Sequence, residues 1–127
     1  MPTEVRLLAY TAILTWLMIV SASVIRTGGD VALAFGNRDD LPPPTPLAGR
    51  AERAARNMSE NLVLFIAVTV AALGAHAHHD RVVLGARIFF WARVAYFPVY
   101  LAGITHLRTA LWAVSLVGMG LMLSTVL

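Results

Sequence analysis

The chain has 127 residues, 58% of them hydrophobic and only 13% charged, with a mean hydropathy of +0.71. Soluble domains carry about 25% charged residues, so this composition excludes an ordinary soluble domain and indicates a one-domain integral membrane protein. All ten basic residues are arginine, against seven acidic residues, and cysteine is absent, which excludes disulfides and any thiol nucleophile carried by the protein itself.

An arginine-only set suits planar, bidentate recognition of carboxylate or phosphate; a genomic preference for arginine codons is the competing account. The arginines are scattered between apolar runs and form no aromatic-studded basic face, so nucleic acid is not an expected partner.

The first uncharged run, 7–25, lies between Arg6 and Arg26 and is long enough to cross the ~30 Å hydrocarbon core. It exceeds the apolar region of a cleavable signal peptide and reads as a retained helix. A polar loop over 27–46 follows, stiffened by Pro42, Pro43 and Pro44. Thr45-Pro46 has the form of an N-cap followed by proline at the first helical position.

From Pro46 the pattern predicts a helix running to about residue 75, roughly 45 Å and well beyond the bilayer core. Only its later part is apolar, so the span is set at about 60–77 and the first turns project from the membrane. A short polar turn containing His76, His78, His79 and Asp80 leads to a third span at about 82–106. The segment "HLRT" makes the next turn, and an uncharged fourth span covers about 109–127, with Gly118 and Gly120 available for close helix contact.

These elements predict an all-α, antiparallel four-helix bundle embedded in a membrane. Arg26, Arg38, Arg50, Arg53, Arg56 and Arg108 fall on one side, against Arg6, Arg81 and the deeper Arg87 on the other. Arginine asymmetry then puts the first loop in the cytoplasm and both termini outside. The histidine turn sits at a helix end on the outer side, where polar residues are expected anyway, and no metal site is assigned to it.

The chemistry-bearing residues cluster at the cytosolic side. Arg50, Arg53, Asn57 and Glu60 are spaced 3, 4 and 3, which confines them to about 80° of one helix face. Leu64 continues that face, so the stripe is expected to point along the buried seam. Glu52 and Arg56 lie on another side and are expected to pair at i,i+4 on the solvated surface.

In the third span, Arg93, Tyr96 and Tyr100 share a face. A mid-span arginine needs a partner or a wet cavity, and Glu60 is the expected partner. Arg108 is placed to lean over the same space or to act as a topology anchor. Several arginines, an asparagine, a carboxylate and two phenols suit a small zwitterion rich in carboxylates, and an arginine near a ligand thiol would favour the thiolate.

The segment "RAERAARNMSE", read as R-x-x-R-A-x-x-N-x-x-E at Arg50, Arg53, Ala54, Asn57 and Glu60, resembles the second-helix signature of the MAPEG family, membrane-associated proteins in eicosanoid and glutathione metabolism. "RVAYFPVYLAG…LRT", with Arg93, Tyr100 and Arg108, resembles its third helix and the turn into the fourth. The resemblance implies a homotrimer that binds glutathione near the cytosolic side as co-substrate, held here by Arg50, Arg53, Asn57, Glu60, Arg93 and Tyr100. Tyr96 joins them by spacing alone.

Arg108 would be the catalytic residue that stabilises the thiolate. Gly49 stands where eicosanoid-type members often carry glutamate, and Arg108 falls one residue out of step with the best-known members. The pattern is that of a bacterial-type, inner-membrane member. The implied function is a glutathione-dependent transferase or peroxidase acting on lipophilic electrophiles or lipid hydroperoxides. A non-catalytic protein of the same fold that binds lipids or a partner is the alternative. A channel ranks last, because the first and fourth spans offer no charged path.

Overall fold

The computed structural model describes residues 1–77 and 79–127, and among them the chain is all-helical. Five helices follow in order: α1 Thr3–Thr27, α2 Val31–Phe35, α3 Pro46–Gly74, α4 His79–Leu101 and α5 Thr105–Leu123. All but α2 are long and apolar enough to cross a membrane.

Local chemistry sets the boundaries. α1 stops at Gly28, whose φ of 63° is left-handed, and the Gly28 and Gly29 N–H groups donate back to the carbonyls of Ile25 and Val24. The loop over 27–46 is not wholly irregular, because Asp30 Oδ1 accepts from Leu33 N at 3.1 Å and caps the one-turn α2. α3 begins at Pro46 with Thr45 Oγ1 accepting from Ala48 N at 3.1 Å, a cap worth about 1 kcal/mol.

α4 and α5 depart from the boundaries read in the sequence. α4 ends at Leu101 rather than near 106, since Gly103 takes a left-handed φ of 76° and turns the chain over residues 102–104. α5 then starts at Thr105, so "HLRT" is its first turn and not a connector. Arg108 is therefore a helix residue whose backbone N–H bonds to Ile104 O at 3.2 Å.

Burial from water does not drive helices together inside lipid, so packing rests on small residues and satisfied polar groups. α4 and α5 meet at Gly85 and Gly118, where a Cβ added to Gly85 would lie 2.4 Å from Gly118 O and one on Gly118 would lie 2.5 Å from Gly85 O. Gly120 has open space around it and takes no part. Phe65 and Phe89 stack at 4.2 Å between α3 and α4. The buried hydroxyls of Thr11, Thr15 and Thr69 each donate to the carbonyl one turn back.

The buried stripe of α3 is Ala51, Ala54, Ala55, Met58, Asn61, Phe65, Thr69 and Ala72. Leu64 is exposed, so the Arg53–Asn57–Glu60 stripe runs along the edge of the seam and not within it. Alanines at 51, 54 and 55 allow the neighbouring helices to approach too closely for an arginine or glutamate to fit between them.

Candidate functional site

A cavity of about 350 Å³ opens at the end of the bundle where α3 starts and α4 ends. α3 contributes Arg53, Arg56, Asn57 and Glu60 to its wall. The facing wall carries Tyr96 and Tyr100 from α4, with Arg108, Thr109 and Trp112 from α5. The rings of Tyr96 and Tyr100 pack edge to face at 5.5 Å, and the Arg108 guanidinium lies 4.4 Å over the Tyr100 ring. That stacking fixes the direction of a long side chain without consuming its charge.

Six of the eight residues singled out in the sequence thus meet here: Arg53, Asn57, Glu60, Tyr96, Tyr100 and Arg108. Arg50 does not line the cavity. Its Nε donates to Leu101 O at 3.0 Å, and its guanidinium passes the open side of Gly103, so it fastens the start of α3 to the α4–α5 turn.

Arg93 lies behind the wall, with none of its surface exposed. Its partner is not Glu60. One terminal nitrogen donates to Asn57 Oδ1 at 2.7 Å, and Nε donates to Ser115 Oγ at 3.1 Å. The rings of Tyr96 and Phe89 sit 4.8 and 5.6 Å from its guanidinium carbon. Ser115 in turn donates to Trp112 O at 2.6 Å. A single buried guanidinium on α4 therefore joins Asn57 on α3 to the turn of α5 that carries Trp112.

This contact has a chemical consequence for the cavity. With its carbonyl oxygen occupied by Arg93, the Asn57 amide group is oriented to offer N–H donors.

Arg56 and Glu52 do not form the i,i+4 pair expected of them. Glu52 Oε1 is paired at 2.9 Å with Arg26 Nε of α1, and Arg26 also donates to Pro42 O. Glu52 reaches across to α1 because the end of α1 lies beside the first turns of α3. Arg56 is left facing the cavity. Among the described residues no carboxylate comes within ion-pair distance of Arg53, Arg56 or Arg108.

Three residues of α5 were missed in the sequence: Thr109 and Trp112 in the wall, and Ser115 behind it. A signal for them exists, because Arg108, Trp112 and Ser115 are spaced 4 and 3 like the stripes of α3 and α4. With "HLRT" read as a turn, helical periodicity does not extend to Arg108 and the face stays hidden.

The histidine turn lies at the other end of the bundle. His79 opens α4 and its Nδ1 stands 3.7 Å from Oε2 of the buried Glu4; His78 lies outside the described residues.

The cavity combines three arginines with one carboxylate, oriented amide donors and two phenols. A family model, that of the MAPEG family, matches residues 6–127, essentially the whole length. The chain belongs to the MAPEG family. Comparison with curated proteins gave no significant match. Membership makes this a membrane protein of a family broadly associated with glutathione and with transferase- or peroxidase-type chemistry. Four apolar helices agree with a multi-pass integral membrane protein.

Proposed function

We propose that this MAPEG protein binds glutathione in the 350 Å³ cavity and uses it as a thiolate against lipophilic electrophiles or lipid hydroperoxides. The observation that carries this reading is the meeting of Arg53, Asn57 and Glu60 with Tyr100 and Arg108 in one cavity, with three arginines lacking a carboxylate partner among the described residues. Glutathione has two carboxylates and one ammonium. Arg53, Arg56 and the Asn57 amide suit the carboxylates, and Glu60 suits the ammonium.

Arg108 is the thiolate-stabilising residue in this proposal. A fixed guanidinium beside the sulfur favours the anion, and the proton leaves to solvent. The sulfur then either bonds to an electrophilic carbon, expelling a leaving group or opening a ring, or attacks the O–O bond of a hydroperoxide. The latter releases an alcohol and leaves a sulfenic acid, which a second glutathione converts to disulfide and water. Arg93 acts through Asn57 and is a positioning residue, and Arg50 positions the α4–α5 turn.

We further propose an antiparallel bundle in a bacterial inner membrane, with the cavity on the cytosolic side, both termini outside, and the four spans carried by α1, the later part of α3, α4 and α5. Exposed apolar side chains such as Val63, Val70, Trp91 and Val117 offer surfaces for lipid and for the other copies of a homotrimer.

The test is stopped-flow absorbance of the thiolate on mixing detergent-solubilised protein with glutathione, followed by conjugation of an aromatic electrophile. Thiolate formation and turnover above background are expected. Thermal stabilisation by glutathione with neither signal would leave the non-catalytic binding protein as the correct account. Failure of glutathione to stabilise the protein would remove both.

A further inference from the structure

At the end of the bundle away from the polar cavity lies a buried charge that the proposed chemistry does not use. Glu4 is 5% exposed and opens the core-facing stripe of α1, which continues through Leu7, Thr11, Thr15, Met18 and Ala22. Its Oε2 is enclosed and has no hydrogen-bond donor among the described residues. An enclosed carboxylate oxygen without a donor is costly, and the cost is relieved by a proton or by a cation. Glu4 also stands in the first turn of α1, where the free N–H groups of the helix favour negative charge. A cation is therefore the better remedy.

The candidate cation is His79, the first residue of α4. Its Nδ1 stands 3.7 Å from Glu4 Oε2, within ion-pair reach but too far for a hydrogen bond. The His79 side chain is 63% exposed, so protons from solvent reach the imidazole directly. Among the described residues no other cationic group comes within ion-pair distance of Glu4.

The remaining charges at this end are placed differently. On α4, Asp80 and Arg81 follow His79 in the same turn and are both exposed. On α1, Arg6 is exposed and donates to Met1 O, beside the terminal ammonium. α3 carries no titratable side chain between Glu60 and His76, and His76 stands in the turn beyond that helix with a left-handed φ of 50°. α5 does not pack against α1.

We propose that Glu4 and His79 form a proton-operated latch tying the start of α1 to the start of α4. Between about pH 8 and about pH 5.5 an imidazole gains its proton while a carboxylate keeps its charge. Neutral His79 leaves Glu4 Oε2 without a charged partner; protonated His79 supplies one, and the pair closes to hydrogen-bond distance. Stability from the pair is complete at the acidic end of that window and is lost as pH rises and the imidazole deprotonates. The apolar helices run between the two ends of the bundle, so the latch takes its proton on the membrane face opposite the polar cavity. Its action is independent of glutathione.

The experiment is a double-mutant cycle on the full chain in detergent, with thermal melts of the parent, Glu4→Gln, His79→Gln and the double variant at about pH 8 and about pH 5.5. At the lower pH the cycle should show a coupling of about 2–4 °C in melting temperature, and at the higher pH none. The cycle cancels the titration of His76, His106 and every other group common to the four proteins. His79→Lys, charged at both pH values, should couple to Glu4 at both. His78→Gln should leave the coupling intact.

Coupling of equal size at both pH values, or none at the lower pH, overturns the proposal. Loss of coupling in His78→Gln also overturns it, assigning the proton to the neighbouring imidazole. If Glu4→Gln fails to fold, the exposed His79 keeps the question open to measurement. His79→Gln and His79→Lys should then each lose part of the parent's gain in melting temperature on acidification, and a gain unchanged in both sinks the latch.

Discussion

The two flanks of α3's first turns differ in how their arginines are used. Toward α1, Arg26 is closed onto Glu52 and the Pro42 carbonyl, and the charge serves as a fastening. Toward α4 and α5, Arg53, Arg56 and Arg108 face a cavity with Glu60 as its one carboxylate and with no ion pair among the described residues. Both flanks draw on the same nine-residue stretch of one helix, Glu52 to Glu60. An arginine with an internal carboxylate partner has its field largely spent, whereas one held by neutral groups keeps it for a ligand.

The contrast is broken most severely at Arg108. Arg108→Ala is expected to lower thiolate formation and turnover about 100-fold or more, the scale for removing one donor to a developing anion, while glutathione-induced thermal stabilisation persists. Loss of stabilisation together with turnover would show Arg108 to be a binding group instead.

Asn57→Asp comes next. The new carboxylate keeps an acceptor for Arg93 but turns negative charge toward the cavity, so glutathione affinity by calorimetry should fall about 10- to 100-fold with the unliganded melting temperature maintained. Undiminished affinity would mean that the amide does not face the ligand as described. Ser115→Ala, which removes the acceptor for Arg93 Nε, should raise the KM for glutathione several-fold and spare kcat, with Ser115→Thr restoring it. An equal loss in kcat would place Ser115 among the groups that act on the transition state.

On the fastened flank the expected effects are smaller. Glu52→Gln should cost at most about 1 kcal/mol of stability, since its side chain is 38% exposed, and should leave glutathione affinity within about twofold. A larger affinity change would couple the two flanks through the neighbouring Arg56. The mildest change is Gly49→Ala. Its Cβ would come 3.1 Å from Arg53 Nη1, which must give way, while helix propensity improves by up to about 1 kcal/mol. A more stable protein with slightly weaker ligand binding is expected, measured by thermal melts and calorimetry.

Much of this arrangement was legible in the chain itself. The four apolar runs, the Thr45-Pro46 start of α3, and the stripe of Arg53, Asn57 and Glu60 all follow from hydropathy and 3.6-residue periodicity. So did the shared face of Tyr96 and Tyr100. The limit of α4 was not legible, because Gly103 can continue a pattern or turn it, and only its left-handed backbone shows which. Misplacing that turn by a few residues hid the α5 face of Arg108, Trp112 and Ser115.

Partnership was the other illegible feature. Periodicity says which residues share a face of one helix, and it says nothing about what stands opposite. Glu52 had a favourable local partner in Arg56 and took Arg26 from another helix; Arg93 had an oppositely charged candidate in Glu60 and took Asn57 and Ser115. In each case the choice depends on which side chains the packed helices bring within about 3 Å, a distance set by alanines and glycines far less conspicuous than the charges themselves.

The sequence alone therefore determined that this is a four-span helical membrane protein with an arginine-bearing polar stripe at one end, because composition and period act locally. Tertiary structure decided which arginines are spent and which remain available, because ion pairing in a bundle depends on the separation between helices. That separation is a property of the whole packing and belongs to no single segment.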